Sequence, residues 1–199
     1  MKTFRKIGLM AIAVFTAVSL ASCGDDDNDD EPGTGGNITA TLNGTAMNLS
    51  YAYWYIDKTS STSSPDNVNM VIEFYSYNPT DPSSAQFPIS YISVDYEVPA
   101  STSSISSKTI PSGSYHIYVA KDVSMTGSGW QAESIDGQTS NSPLVITRNG
   151  SETTVRIDHA EVAADDKPTN GDKPTTDISK TLALSYSGSI PMLPAEFRP

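Results

Sequence analysis

Polar catalysis has little to work with in this chain: two histidines, His116 and His159, one cysteine, Cys23, and scattered carboxylates. No Gly-x-Ser-x-Gly turn is present, and Asp158 and His159, adjacent along a strand, point to opposite faces and cannot orient one another. Two histidines far apart in sequence do not make a zinc site. Glu73, Asp95 and Glu97 share the expected outward face of two strands. Two carboxyls facing across a cleft would be glycoside hydrolase equipment, but on one solvated sheet face such charges only keep the sheet wet. The stretch 165–172 clusters oxygen ligands around Gly171 yet lacks the alternating ligand positions and closing glutamate of a calcium loop, so it reads as a polar turn. Aromatic rings carry the best chemical signal. Trp54, Tyr75, Tyr77, Tyr91 and Tyr118 fall on faces opposite the expected core, and Trp130 sits beside glycines at a loop rim. Flat rings beside hydroxyls and carboxylates stack on sugars and amphipathic molecules.

The elements that must position these rings are strands. Beyond residue 36 apolar residues alternate with period two, bounded by Ser, Thr, Asn, Pro and Gly clusters. Asn43-Gly44 and Asn149-Gly150 sit between alternating segments, the sequence sign of type I′ hairpins, in which both central residues take positive φ. The first turn leads into one long strand over 46–56, with Met47, Leu49, Tyr51, Tyr53 and Tyr55 expected on the core face and Trp54 on the other. Core faces are also expected for Val68, Met70, Ile72 and Phe74, then Ile92, Val94, Tyr96 and Val98, then Tyr115, Ile117 and Val119. Val155 and Ile157 follow, and Leu182, Leu184, Tyr186 and Ile190 close the series. The fold class is all-β: a single antiparallel β-barrel or a two-sheet sandwich of about eight or nine strands.

Cys23 gives the address. It ends Leu20-Ala21-Ser22-Cys23, behind a basic start (Lys2, Arg5, Lys6) and an apolar run over 7–20 too short to span a bilayer comfortably. This resembles the signal peptide of bacterial lipoproteins, in which the cysteine is acylated and becomes the first mature residue. The resemblance implies a membrane anchor of more than one acyl chain, enough for stable attachment. The following segment, Gly24-Asp25-Asp26-Asp27-Asn28-Asp29-Asp30-Glu31, cannot bury anything and reads as a tether. It is similar to the acidic export signal of surface lipoproteins of the Bacteroidetes, which implies an outer-membrane protein facing the exterior. With Cys23 acylated no disulfide is left within the chain, so the core must hold the fold by itself.

The net charge of −11 becomes −14 without the leader and −8 without the six tether acids, a balance that argues against nucleic acid and anionic lipid as partners. The run Thr39-Ala40-Thr41-Leu42-Asn43-Gly44, the later Ile110-Pro111-Ser112-Gly113-Ser114-Tyr115, and Tyr186-Ser187-Gly188 together resemble the lipocalin-like surface lipoproteins of the Bacteroidetes over most of 37–193. These are turn and strand motifs, and they carry no catalytic or binding residue across. The expected organisation is a signal peptide (1–22), lipidated cysteine and tether (23–36), an all-β domain (37–193) and a tail (194–199). The expected function is non-catalytic binding of a glycan or small amphipathic molecule, with no cofactor. The alternatives are an adhesive, envelope- or fimbria-associated subunit and, third, a glycoside hydrolase.

Overall fold

A computed structural model describes residues 36–59, 62–125, 129–134, 142–163 and 179–198; Cys23, the acidic tether and the 165–172 cluster lie outside them. Among the described residues eleven strands follow one another: β1 (Gly36–Leu42), β2 (Thr45–Met47), β3 (Tyr51–Asp57), β4 (Asn67–Tyr75), β5 (Ile89–Pro99), β6 (Lys108–Ile110), β7 (Tyr115–Val123), β8 (Trp130–Ser134), β9 (Leu144–Asn149), β10 (Glu152–Ala163) and β11 (Ser179–Ser189). Among the described residues no helix is long and apolar enough to cross a membrane.

Among the described residues every ladder between these strands is antiparallel, and the ladders form two layers. One runs β2-β1-β11-β10-β9-β6; the other is β3-β4-β5-β7 with short β8 at its margin. The layers join at one corner, where the end of β10 (Val162, Ala163) pairs with Ser134 and Glu133 of β8. A register break between Ile157 and Ala160 lets β10 leave one layer for the other, since an extra residue bends a strand and shifts its pleat. Among the described residues no ladder joins β2 to β3, so the sheet does not close. Of the two architectures expected, the closed barrel gives way to two packed sheets. The count exceeds eight or nine because the strand expected over 46–56 is two, β2 and β3, and because β6, three residues long, is too short to show a period in sequence.

The main core lies between the layers. Met70, Ile72 and Phe74 of β4, Ile92 and Val94 of β5, and Ile117 and Val119 of β7 meet Leu182, Leu184 and Tyr186 of β11 and Val155 and Ile157 of β10, all on the faces that alternation predicts. Phe74 and Tyr186 touch across the layers, ring centres 5.7 Å apart. Burial raises the Tyr186 phenol to about 12, and its hydroxyl donates to the Ser189 carbonyl at 2.6 Å. The Tyr186 ring occupies the space where a side chain on Gly36, its near neighbour across the β1–β11 ladder, would begin. Gly36→Ala is therefore expected to cost about 1–3 kcal/mol, because the added methyl would force the hydrogen-bonded Tyr186 ring aside. Urea denaturation measures it, and an unchanged midpoint would refute the contact.

The two Asn-Gly turns differ. Leu42 pairs with Thr45, and Asn43 (φ 49°) and Gly44 (φ 74°) are both left-handed, as type I′ requires. In the second hairpin Asn149 is itself paired, with Glu152, and the loop is Gly150-Ser151, with positive φ at Gly150 alone (62°). That is the glycine-first pattern of a type II′ turn, one residue later than the sequence suggests.

The expected long strand over 46–56 is broken. Residues 48–50 are not extended into either ladder, and the phase changes across them: Met47 and Leu49 point into the main core, but so do Ala52 and Trp54. One skipped step in the pleat moves every later side chain to the other face. Tyr51, Tyr53 and Tyr55 thus leave the expected core face, and Trp54, expected outside, is buried in the core at 6% exposure.

Beyond β11 the chain still contributes to the fold. The Trp54 amide donates to the Pro191 carbonyl (3.1 Å) and the Leu193 amide to the Trp54 carbonyl (2.8 Å), so 191–193 lies as a parallel partner along the outer edge of β3. A bare edge strand invites pairing with another chain, and here the end of the molecule covers it.

Candidate ligand-binding face

The second face of β3-β4-β5-β7, away from the main core, is where the remaining tyrosines gather. Register places them in rows: Tyr51, Tyr75 and Tyr91 side by side; then Tyr53, Glu73, Ser93 and Tyr118; then Tyr55, Val71, Asp95 and His116. Residues opposite one another on neighbouring strands sit about 5 Å apart, close enough for rings to touch. They do. Ring centres are 5.5 Å apart for Tyr77 and Tyr75, 5.0 Å for Tyr75 and Tyr91, and 5.9 Å for Tyr91 and Tyr118, all tilted or edge-on. The result is a ribbon of four rings crossing three strands, with Tyr53 set edge-on to Tyr75 at 6.4 Å. Tyr77 and Tyr118 are half-buried, Tyr91 is half-buried as a residue with its phenol end enclosed, and Tyr75 is buried.

Glu73 lies at the floor of this face with 1% exposure. The hydroxyls of Tyr75 and Tyr91 donate to its carboxyl oxygens, and that of Tyr55 does so at 3.2 Å. Burial pushes the Glu73 carboxyl above its ordinary value and the Asp95 charge adds to this, while the three phenols pull the other way. The phenols of Tyr75 and Tyr91 are raised well above theirs by burial and by the neighbouring carboxylate, and Tyr77 more modestly for the same two reasons. Tyr53 donates to Asn78 Oδ1 at 3.2 Å, tying the loop after β4 to the cluster.

One side of the face is roofed by the end of the chain. Leu193 is fully buried against Tyr53, Tyr55 and Val71, Phe197 packs on the same cluster, and the Arg198 guanidinium stands 5.8 Å over the Tyr55 ring. Arg198 Nε donates to the Leu193 carbonyl at 2.9 Å, closing the tail into a compact turn.

Of the aromatic residues expected to share a platform, Tyr75, Tyr77, Tyr91 and Tyr118 are brought together. Trp54 lies on the far side of the sheet, and Trp130 opens β8 with its side chain outside the described residues. Tyr51, Tyr53 and Tyr55 also belong to this face, where alternation over 46–56 does not put them. A signal for them exists in the sequence, because Ala52, Trp54 and Ile56 make the even positions of β3 as apolar as the odd ones, the mark of a strand covered on both sides.

The three carboxylates do not oppose one another across a groove. They lie along one face, with Glu97 four residues beyond the position opposite Glu73, about 13 Å along the strand. Glu97 acts elsewhere. It accepts from the Ser63 amide and hydroxyl and from Asn67 Nδ2 (2.9 Å), bonds that hold its carboxyl below the usual range and pin the loop before β4. His116 and His159 are exposed on different strands, and no cluster able to hold a metal ion occurs among the described residues. No family model matches the chain, and no curated protein or solved structure matches it.

Proposed function

We propose that this is a non-catalytic binding domain, lipid-anchored through Cys23 and held outside the outer membrane on its acidic tether, whose tyrosine face takes a glycan or small amphipathic molecule. The observation that carries this reading is the continuous ribbon Tyr77–Tyr75–Tyr91–Tyr118, open to solvent along part of its length. Rings held rigidly by a sheet lose little entropy on stacking against a ligand, and each contact contributes about 1 kcal/mol beyond its buried area. The sequence around Cys23 supports the address, and the lipocalin-like turn grammar is in keeping with a secreted binding scaffold.

The test is a glycan and lipid binding screen on the mature chain, with Tyr77→Ala and Tyr118→Ala as variants. Each should weaken a genuine ligand by about tenfold at a stability cost of about 1 kcal/mol, since Tyr77 and Tyr118 stack on Tyr75 and Tyr91 and the Tyr118 hydroxyl donates to Gln131 Oε1 at 2.6 Å, but neither donates to Glu73. Binding that ignores both substitutions would remove the tyrosine face from consideration. The adhesive reading keeps second place on one observation, the β3 edge occupied by the last residues of the chain; a partner adding a strand there would have to displace them.

A further inference from the structure

Asn43-Gly44 and Asn149-Gly150 place the same dipeptide at the tips of two hairpins, and a glycine after an asparagine leaves the next backbone nitrogen unshielded by any side chain. In the unfolded chain the two asparagines are chemically alike. The fold separates them. Asn43 is held by backbone and side chain together: its amide donates to the Thr181 carbonyl at 2.8 Å, and its Oδ1 accepts from the Thr181 amide at 2.7 Å. Asn149 is held by its backbone alone, in the last ladder pair before the turn, opposite Glu152. Its side chain is exposed and meets no hydrogen-bond partner among the described residues, and Gly150, the first residue of the turn, stands outside both strands.

We propose that Asn149 is a site of spontaneous, one-way modification, deamidation through a cyclic imide, and that the fold shields Asn43 from the same reaction. The Gly150 amide nitrogen attacks Asn149 Cγ and gives up its proton, the side-chain nitrogen leaves as ammonia, and water then opens the imide at either carbonyl. The products are aspartate and isoaspartate; one water is taken up for each ammonia lost, and nothing is oxidised or reduced. At Asn43 the same attack requires Oδ1 to release the Thr181 amide so that Cγ can turn onto the Gly44 nitrogen, and the loss of such a hydrogen bond slows the reaction by about tenfold. Modification at Asn149 matters to the fold because residues directly opposite on antiparallel strands share a face, so the new carboxylate stands beside that of Glu152 and the like charges repel. Isoaspartate also adds a carbon to the main chain of β9, which supplies the only ladder of β6 among the described residues. Ser107, just before β6, accepts from the Arg148 amide at 2.8 Å, so the change lies one residue from the contact that pins that margin. The β9–β6 margin of the first layer loosens with the age of the molecule. The inference is independent of the ligand-binding reading.

The experiment is incubation of the full chain at neutral pH, native and in concentrated urea, followed by brief tryptic digestion and mass spectrometry. Peptide 149–156 reports Asn149, and the peptide containing Asn43 is read beside it. In the native chain Asn149 should convert about tenfold faster than Asn43, and in urea the two rates should converge. Equal native rates, faster conversion at Asn43, or a native Asn149 that stays intact while the urea sample converts would each overturn the proposal. Asn149→Asp supplies the aspartate product directly and should lower the urea midpoint. Adding Glu152→Gln, which keeps an oxygen for the Ser187 hydroxyl that Glu152 accepts from at 2.8 Å, should recover it. An unchanged midpoint in Asn149→Asp, or a loss that Glu152→Gln fails to recover, would refute the repulsion assigned to Glu152.

Discussion

Glu73→Ala is expected to lower the stability of the domain by about 3 kcal/mol, because the buried phenols of Tyr75 and Tyr91 lose the acceptor they share and each unsatisfied buried donor costs about 1–3 kcal/mol. Glu73→Gln keeps an acceptor oxygen in place and should cost about 1 kcal/mol. The more telling difference lies in pH. The folded-state carboxyl is raised above its ordinary 4.5, so the folded protein holds a proton that the unfolded chain has already released. Between those two values folding takes up a proton, so stability is greatest below the unfolded value and falls as pH rises through the folded one. Most buried ion-paired carboxylates give the opposite slope. Urea denaturation at a series of pH values should show this fall in the unchanged chain and its loss in Glu73→Gln. Parallel curves for the two proteins would mean that Glu73 titrates as it does in the unfolded chain, and the account of its burial would be wrong.

Trp54→Ala should be the more damaging substitution, at about 3–5 kcal/mol, the usual cost of removing a large aromatic from a packed core. Trp54 is 6% exposed among the main-core residues, and its own backbone groups hold 191–193 against the β3 edge. For a domain of this size the loss corresponds to a drop in Tm on the order of 10 °C. An exposed Trp54, as the alternation over 46–56 suggests, would predict almost no change in Tm and a loss of ligand instead. Thermal unfolding of Trp54→Ala beside Tyr118→Ala separates the two: a large drop for the first and a small one for the second is expected, and equal small drops would return Trp54 to the surface.

These two residues also mark where reading the chain by alternation stops working. On β4, β5, β7 and β11 the apolar positions fall at every second residue without interruption, and each expected core residue there is found between the layers. Period two is a property of the strand itself, so it is written locally. On β3 the same rule fails by one step, because 48–50 form a corner rather than a continuation and nothing in Asn48-Leu49-Ser50 announces that the pleat is broken. The second Asn-Gly hairpin fails by one step too, since Asn149 stays in its ladder and the turn begins at Gly150. A turn signal names a place in the chain but does not choose the register of the strands on either side.

Glu73 is a different kind of failure. A glutamate in an alternating strand is rightly read as facing away from the core, and it does. Whether that outward face meets water depends on what else lies on it, and here the cover comes from Tyr53 and Tyr55 of the neighbouring strand, Tyr91 of the next, and Leu193 and Phe197 more than a hundred residues later. The strands, their inner faces and the lone Cys23 behind its apolar run follow from residue types and short-range spacing, which act over a few bonds. The choice of two sheets over a closed barrel, the burial of Glu73 and the position of Arg198 over Tyr55 depend on which distant segments come to rest side by side. That is a property of the folded chain's packing, and no window of neighbouring residues contains it.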